Sequence, residues 1–131
     1  MRLIDQKLMD ELSAQAKANP RLRQHYDLRD SADANSQQML NAMEPGTVIP
    51  VHRHMKSSES IVMLRGKLLM RLYEGDGSIS DEFIMEPCGE RPLVQVDLGQ
   101  WHSLEVLEEG TIALMAQDGK YEEMRGEDMI H

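Results

Sequence analysis

Apolar residues recur at Ile4, Leu8, Leu12 and Ala16, with polar residues filling the positions between them. That spacing is the period of an amphipathic helix and predicts one over residues 4–18. Asp5 is placed to cap its first turn, and Asn19-Pro20 stops it, because the residue before a proline avoids the helical region. Residues 20–35, PRLRQHYDLRDSADAN, show no such period and read as an irregular polar segment with at most a short extended piece. From Ser36 onward the apolar positions fall into short runs. They predict strands at Gln37–Met43, Val48–His52, Ser58–Leu64, Lys67–Tyr73, Ile79–Met85, Leu93–Leu98, His102–Leu107 and Thr111–Gln117. Between them stand Glu44-Pro45-Gly46, Arg65-Gly66, Gly75-Asp76-Gly77, Pro87-Cys88-Gly89, Gly99 and Glu109-Gly110, the residues that tight turns require. Short strands at even spacing imply an all-β sandwich or barrel, and a jelly roll closes such strands with little exposed edge.

A chain of 131 residues holds one domain with a real core and is too short for two. Within it, residues 1–35 read as an N-terminal helix and irregular segment, and residues 36–131 as the barrel. The last dozen residues are polar and read as a loosely packed tail or a partner contact. No run of 18 apolar residues is present, so no membrane-spanning helix is expected. The N-terminus lacks an apolar signal core, and the single cysteine, Cys88, cannot form an internal disulfide. Both features lead to the expectation of a cytoplasmic protein. Cys88, next to Gly89, reads as a small filler.

The net charge of −9 is unevenly spread. Residues 1–73 hold eleven Lys/Arg against eight Asp/Glu, whereas residues 74–131 hold three against fifteen. An acidic chain of this kind is repelled by phosphate backbones, so no nucleic-acid partner is expected. The eleven methionines are many beside five aromatics. Met39, Met43, Met63, Met70, Met85 and Met115 lie in strand-like segments and read as adaptable core filling.

The densest chemistry lies in residues 46–66, GTVIPVHRHMKSSESIVMLRG. Gly46 is followed by five residues and His52; one residue, Arg53, separates His52 from His54; Glu59 follows after four more, and Gly66 after six. Side chains two apart on a strand share a face, so His52 and His54 point together and Arg53 points away. Glu59 comes from the next strand or the bend before it. His102, in DLGQWHSLEV, is a fourth ligand that a separate hairpin must bring alongside. Three imidazoles and one carboxylate suit Fe, Mn, Ni, Zn or Cu, and do not suit an oxygen-only cage.

This spacing resembles the first sequence motif of the cupin superfamily, which is glycine, five residues, His-x-His, three or four residues, glutamate, six residues, glycine. The second cupin motif is matched in part. Asp97-Leu98-Gly99 stands where Pro-x-Gly is expected, and His102 follows at the right distance. Val106 replaces the motif's asparagine and Arg91 its first glycine. The chain also resembles the small bacterial cupin-fold metalloproteins of the WbuC family. The residues that carry this are Asn19-Pro20-Arg21 with Arg23, the Gln-rich run Ser36–Ala42, the Gly66 hairpin, and Leu72-Tyr73 before Gly75-Asp76-Gly77. The resemblance implies a jelly roll with one N-terminal helix and one divalent transition metal ion on His52, His54, Glu59 and His102. Members are similar to proteins encoded among bacterial surface-polysaccharide genes, which implies a small sugar-type or anionic ligand. Small cupins commonly pair, so a homodimer is expected, with the N-terminal segment available to cover a neighbour's sheet edge.

Two functions fit. One is a metal-dependent enzyme working by Lewis-acid or oxygen chemistry; no acid/base pair stands out, and Glu105, Tyr73 and Tyr121 could serve but read first as strand or surface residues. The other is a non-catalytic, metal-dependent binder or sensor of a small ligand. In either case Arg21 and Arg23 could clamp a phosphate or carboxylate at the barrel mouth, with Gln38 adding a neutral hydrogen bond. The competing reading of these arginines, and of Arg29, is that they balance acids such as Asp27 and Asp30.

Overall fold

The computed structural model describes residues 1–130; residue 131, the end of the expected barrel unit, lies outside them. Helix α1 (Gln6–Ala18) is followed by ten strands: β1 (Arg23–Asp27), β2 (Ser36–Met43), β3 (Val51–His52), β4 (Glu59–Arg65), β5 (Leu68–Tyr73), β6 (Ile79–Met85), β7 (Leu93–Val96), β8 (Trp101–Val106), β9 (Thr111–Asp118) and β10 (Met129–Ile130). They form two five-stranded antiparallel sheets. The first has the order β1-β2-β9-β4-β7 and the second the order β10-β3-β8-β5-β6. This is an all-β jelly roll with one N-terminal helix.

The eight predicted strands are present, with ends moved by a few residues. The largest change is at β3, which is only Val51–His52, because Pro50 has no N–H to donate to a ladder. Two strands were not predicted. The segment expected to be irregular contributes β1, whose residues Arg23 to Asp27 pair with Met43 to Met39. Its apolar content is too low to announce a strand, and it forms because the edge of β2 offers free backbone partners. The C-terminal segment expected to be loose instead folds back. A 3-10 turn at Gly126–Asp128 leads into β10, which pairs Met129 with His52 and Ile130 with Val51.

The main core lies between the sheets. Inward positions alternate along each strand: Ile61 and Met63 on β4, Leu68 and Met70 on β5, Leu104 and Val106 on β8, all nearly or wholly buried. Met43 and Met85 are buried in the same cluster and Met115 packs against it, in keeping with methionine as filler. Cys88 is not such a filler; it is exposed in the turn after β6.

Helix α1 sits on the outside of the first sheet. Asp5 caps it, its carboxylate accepting from the Leu8 N–H at 2.9 Å. Met9, Leu12 and Ala16 are buried against Leu40, Ala42 and Ile112, the outward-facing residues of β2 and β9. The helix's apolar face is therefore used on the chain's own sheet, which removes the reason for expecting this segment to cover a neighbour.

Candidate metal centre

Strand register places the first two imidazoles. β3 and β8 meet at the pair His52 and His102, so these side chains stand directly opposite each other on the inner face, ring centroids 4.3 Å apart. His54 lies past the end of β3 rather than on it, in a segment fastened by the Gly99 N–H donating to the His54 carbonyl at 2.8 Å. Its ring still turns inward, 5.1 Å from that of His52 and 5.6 Å from that of His102. One nitrogen from each imidazole falls within 4.8 Å of the other two. Arg53, between them, points away. Its guanidinium lies over the Trp101 ring at 4.5 Å and bonds the Asp128 carboxylate at 2.9 Å.

The hydrogen bonds around the rings decide which nitrogens are free. His52 Nδ1 and His102 Nδ1 each lie 2.9 Å from a backbone carbonyl two residues earlier, Pro50 and Gln100. A carbonyl only accepts, so Nδ1 carries the proton and Nε2 presents its lone pair to the centre, the orientation that ligating histidines show. His54 Nε2 and His102 Nε2 are buried with no hydrogen-bond partner. Glu59, the first residue of β4, brings Oε1 to 3.5 Å from His54 Nε2 and 3.7 Å from His102 Nε2. These are ion-pair distances rather than hydrogen bonds. Buried, unpartnered nitrogens around a carboxylate are costly unless a cation joins them, so the donor set fits a transition ion bound by nitrogen and oxygen.

Electrostatics agree with that fit. Burial, reinforced by the charges of His102 and His54, pushes the His52 imidazole down to about 4, so it is neutral at pH 7. Burial would raise the Glu59 carboxyl, but the His102 and His54 side chains outweigh it and hold it at about 2. Both groups bind protons more weakly in the folded chain than in the unfolded one. The metal-free protein should therefore lose stability on acidification, through His52 as pH falls from about 6.5 to about 4 and through Glu59 from about 4.5 to about 2. The His52 share is about 3 kcal/mol. Denaturant midpoints of chelated wild type and His52→Asn at pH 7 and pH 5 check this; parallel losses in the two proteins would rule it out.

The centre lies in a cavity of about 670 Å³, the size of a small-molecule site. Arg21 and Arg23 line it, whereas Gln38 does not. Odd-numbered residues of β2 face inward and even-numbered ones outward, so Gln37 takes the place expected of Gln38, which is exposed on the outer sheet face. Arg29 is turned to Asp27 at 2.8 Å, the charge-balancing role considered for all three arginines. Of the possible acid or base groups, Glu105 on β8 pairs with Arg71 at 3.1 Å and Tyr73 on β5 bonds Ser103 at 2.9 Å, both contacts lying on the outer face of the second sheet. Tyr121 lines the cavity. Strand alternation from His102 could have excluded Glu105, because the two residues differ by an odd number.

Leu22, between Arg21 and Arg23, has φ 57, the only positive value outside glycine among the described residues. A leucine there costs about 1–2 kcal/mol. It is held by the Thr47 hydroxyl on the Arg21 carbonyl at 2.7 Å and by the Glu44 N–H on its own carbonyl at 2.9 Å. The C-terminal segment also walls the cavity, with Glu122, Glu123 and Met129 among its lining residues.

A family model described as Domain of unknown function (DUF6016) matches residues 4–85, which include His52, His54 and Glu59. No curated protein matches the sequence. Solved structures with similar folds include KdgF from Halomonas sp., at 13% identity and TM-score 0.60, covering 79% of this chain and 84% of that one. The Schizosaccharomyces pombe Cnp3 cupin domain is similar at 15% identity and TM-score 0.59, over 74% of this chain and 64% of that one. Bacillus subtilis oxalate decarboxylase, a protein with Mn(II) centres, is similar at 20% identity and TM-score 0.57, over 77% of this chain and 26% of that one. The chain thus spans about a quarter of the oxalate decarboxylase chain. At these identities the likeness shows the cupin fold.

Proposed function

We propose, for a chain that belongs to the family described as Domain of unknown function (DUF6016), a metal-dependent cupin acting on a small anionic or sugar-type ligand. The observation that carries this reading is the set of buried, unpartnered imidazole nitrogens converging beside Glu59 at the wall of a ligand-sized cavity. His52, His54, Glu59 and His102 would hold one ion of Fe, Mn, Ni, Zn or Cu. Bound there, such an ion supplies Lewis acidity, or oxygen chemistry if it is iron. The chain's own residues then do the rest. The carbonyls of Pro50 and Gln100 fix the tautomers, and Arg21 and Arg23 hold the anionic end of the ligand.

The resemblance to the WbuC family supports a ligand from surface-polysaccharide synthesis and a bacterial, cytoplasmic setting. A homodimer is proposed from the habit of small cupins, and a monomer mass in light scattering at micromolar concentration would remove it. The reading as a non-catalytic binder or sensor is favoured by one observation. Tyr121 alone of the three acid or base candidates lines the cavity.

Elemental analysis of protein purified without added metal tests the ion, and turnover of nucleotide-sugars after loading each metal separates enzyme from binder. Citrate should raise the melting temperature of wild type by several degrees, and Arg23→Ala should abolish that shift with metal content unchanged. A citrate shift as large as wild type's in both Arg21→Ala and Arg23→Ala would exclude the arginine clamp.

A further inference from the structure

Of the six lysines and arginines that line the cavity, four are paired with carboxylates, and the two without such a pair among the described residues stand together. Arg53 pairs with Asp128, Lys56 with Glu122, Lys120 with Asp33 and Arg125 with Glu127. Arg21 and Arg23 also line the cavity, yet no carboxylate lies within 4 Å of either among the described residues. Arg23 donates one N–H to the Val48 carbonyl at 3.2 Å, and its Nε is buried with no partner. Two adjacent guanidinium groups without a counter-charge repel each other, and an anion between them relieves that repulsion.

Amides occupy the inner face of the first sheet between this pair and the imidazoles. Gln37 and Asn41 stand on β2 and Gln117 on β9, with Gln117 directly opposite both Gln37 and Glu59 in the strand register. Elsewhere the same inner face is apolar, with Met43, Ile61, Met63 and Ala113. The amides are only partly used. Gln117 Nε2 donates to Gln37 Oε1 at 3.1 Å, which leaves the Gln117 carbonyl without a partner. Asn41 is buried, and its Nδ2 meets only the Met115 sulfur at 2.9 Å, a weak acceptor that a ligand oxygen would readily replace. Its carbonyl likewise has no partner among the described residues. Amides with a free acceptor and an exchangeable donor match hydroxyl groups, which both give and receive hydrogen bonds.

We infer that the ligand is a polyhydroxylated anion, a sugar phosphate or sugar acid, with its charged end on Arg21 and Arg23 and its hydroxyls along Asn41 and Gln117. A cavity of about 670 Å³ is too roomy for a bare oxyanion and suits a monosaccharide-sized molecule. This assignment rests on reading the same cavity as a small-ligand site, but the groups it uses are not the metal ligands.

The test is calorimetric titration of the full chain, chelated and metal-loaded, with glucose 6-phosphate, glucuronate, inorganic phosphate and glucose. At least one of the two polyhydroxylated anions should bind at least tenfold more tightly than both phosphate and glucose. Asn41→Leu and, independently, Gln117→Met should reduce that preference to within about twofold while phosphate binding stays unchanged. Arg23→Met should weaken every anion. The tighter of glucose 6-phosphate and glucuronate identifies the charged end. Phosphate binding as tightly as both sugar anions overturns the inference, as do folded Asn41 and Gln117 variants that keep the preference, or failure of both sugar anions to bind. Metal content measured on the same samples separates this from the metal reading. A preference that survives in protein unable to hold metal sinks only the latter, and stoichiometric metal without the preference sinks only the inference.

Discussion

His102→Ala is expected to leave the protein without its ion. His102 is completely buried, faces His52 across the β3–β8 pair, and lies 3.7 Å from Glu59. Its removal takes away the imidazole that spans from one strand to the carboxylate on the other sheet. Two histidines and a glutamate would remain, one ligand short of the set and open to water where the fourth imidazole stood, so a chelator should strip the ion far more readily. An ion present at a hundred times its dissociation constant stabilises the fold by about 2.7 kcal/mol, and the variant should lose all of that. The clearest reading compares melting temperatures with and without chelator. Wild type should fall on chelation and His102→Ala should not respond, with elemental analysis giving metal near zero. His54→Ala should behave in the same way, since its Nε2 is the other buried imidazole nitrogen without a partner among the described residues. Full metal content in both variants would remove the four-ligand assignment.

Gly66→Ala should be the most damaging single substitution away from the metal. Gly66 has φ +80, and a Cβ there would come within 2.6 Å of the Thr111 Cα, a backbone atom that cannot rotate aside. Thr111 is itself completely buried and tied by its hydroxyl to the Glu108 carbonyl at 2.7 Å and to the Lys67 N–H at 3.2 Å. Left-handed strain adds about 1–2 kcal/mol and the overpacked contact about 1–3 more, a large part of the roughly 5–15 kcal/mol that holds a domain together. Gly110→Ala is the control, because Gly110 has φ +73 but open space where the Cβ would stand. It should cost only the backbone strain. Urea midpoints of the two variants separate the effects, and equal losses would show that the approach to Thr111 is not the cause.

Gly66 illustrates how much of this protein was legible in one dimension. Its place in the glycine–histidine–glutamate spacing could be read directly, as could the helix from its apolar period and its Asp5 cap. The strands from β2 to β9 followed from alternation between turn residues, since a two-residue period and a glycine are local properties. The ligand types were equally visible, although His54 lies past the end of β3 and reaches the side of His52 through a segment fastened by Gly99 and not through strand alternation.

The remainder depended on contacts between distant segments. β1 and β10 are held by partners, β2 and β3, rather than by any pattern of their own. The polar C-terminal segment is fastened further by Arg53, the residue between two of the imidazoles, which offers Asp128 an ion pair and a backbone N–H at 3.0 Å. Gln38 was misplaced for a related reason. Composition identifies a side chain able to bind a ligand, but the phase of its strand against the sheet decides whether that side chain reaches the cavity, and the phase is set by burial of the apolar neighbours. By itself the sequence determined the architecture and the chemistry of the donors. Only the tertiary structure decided which arginines have no carboxylate partner among the described residues, which amides face the cavity, and which segments wall it, because each of those outcomes depends on what a distant strand leaves unsatisfied.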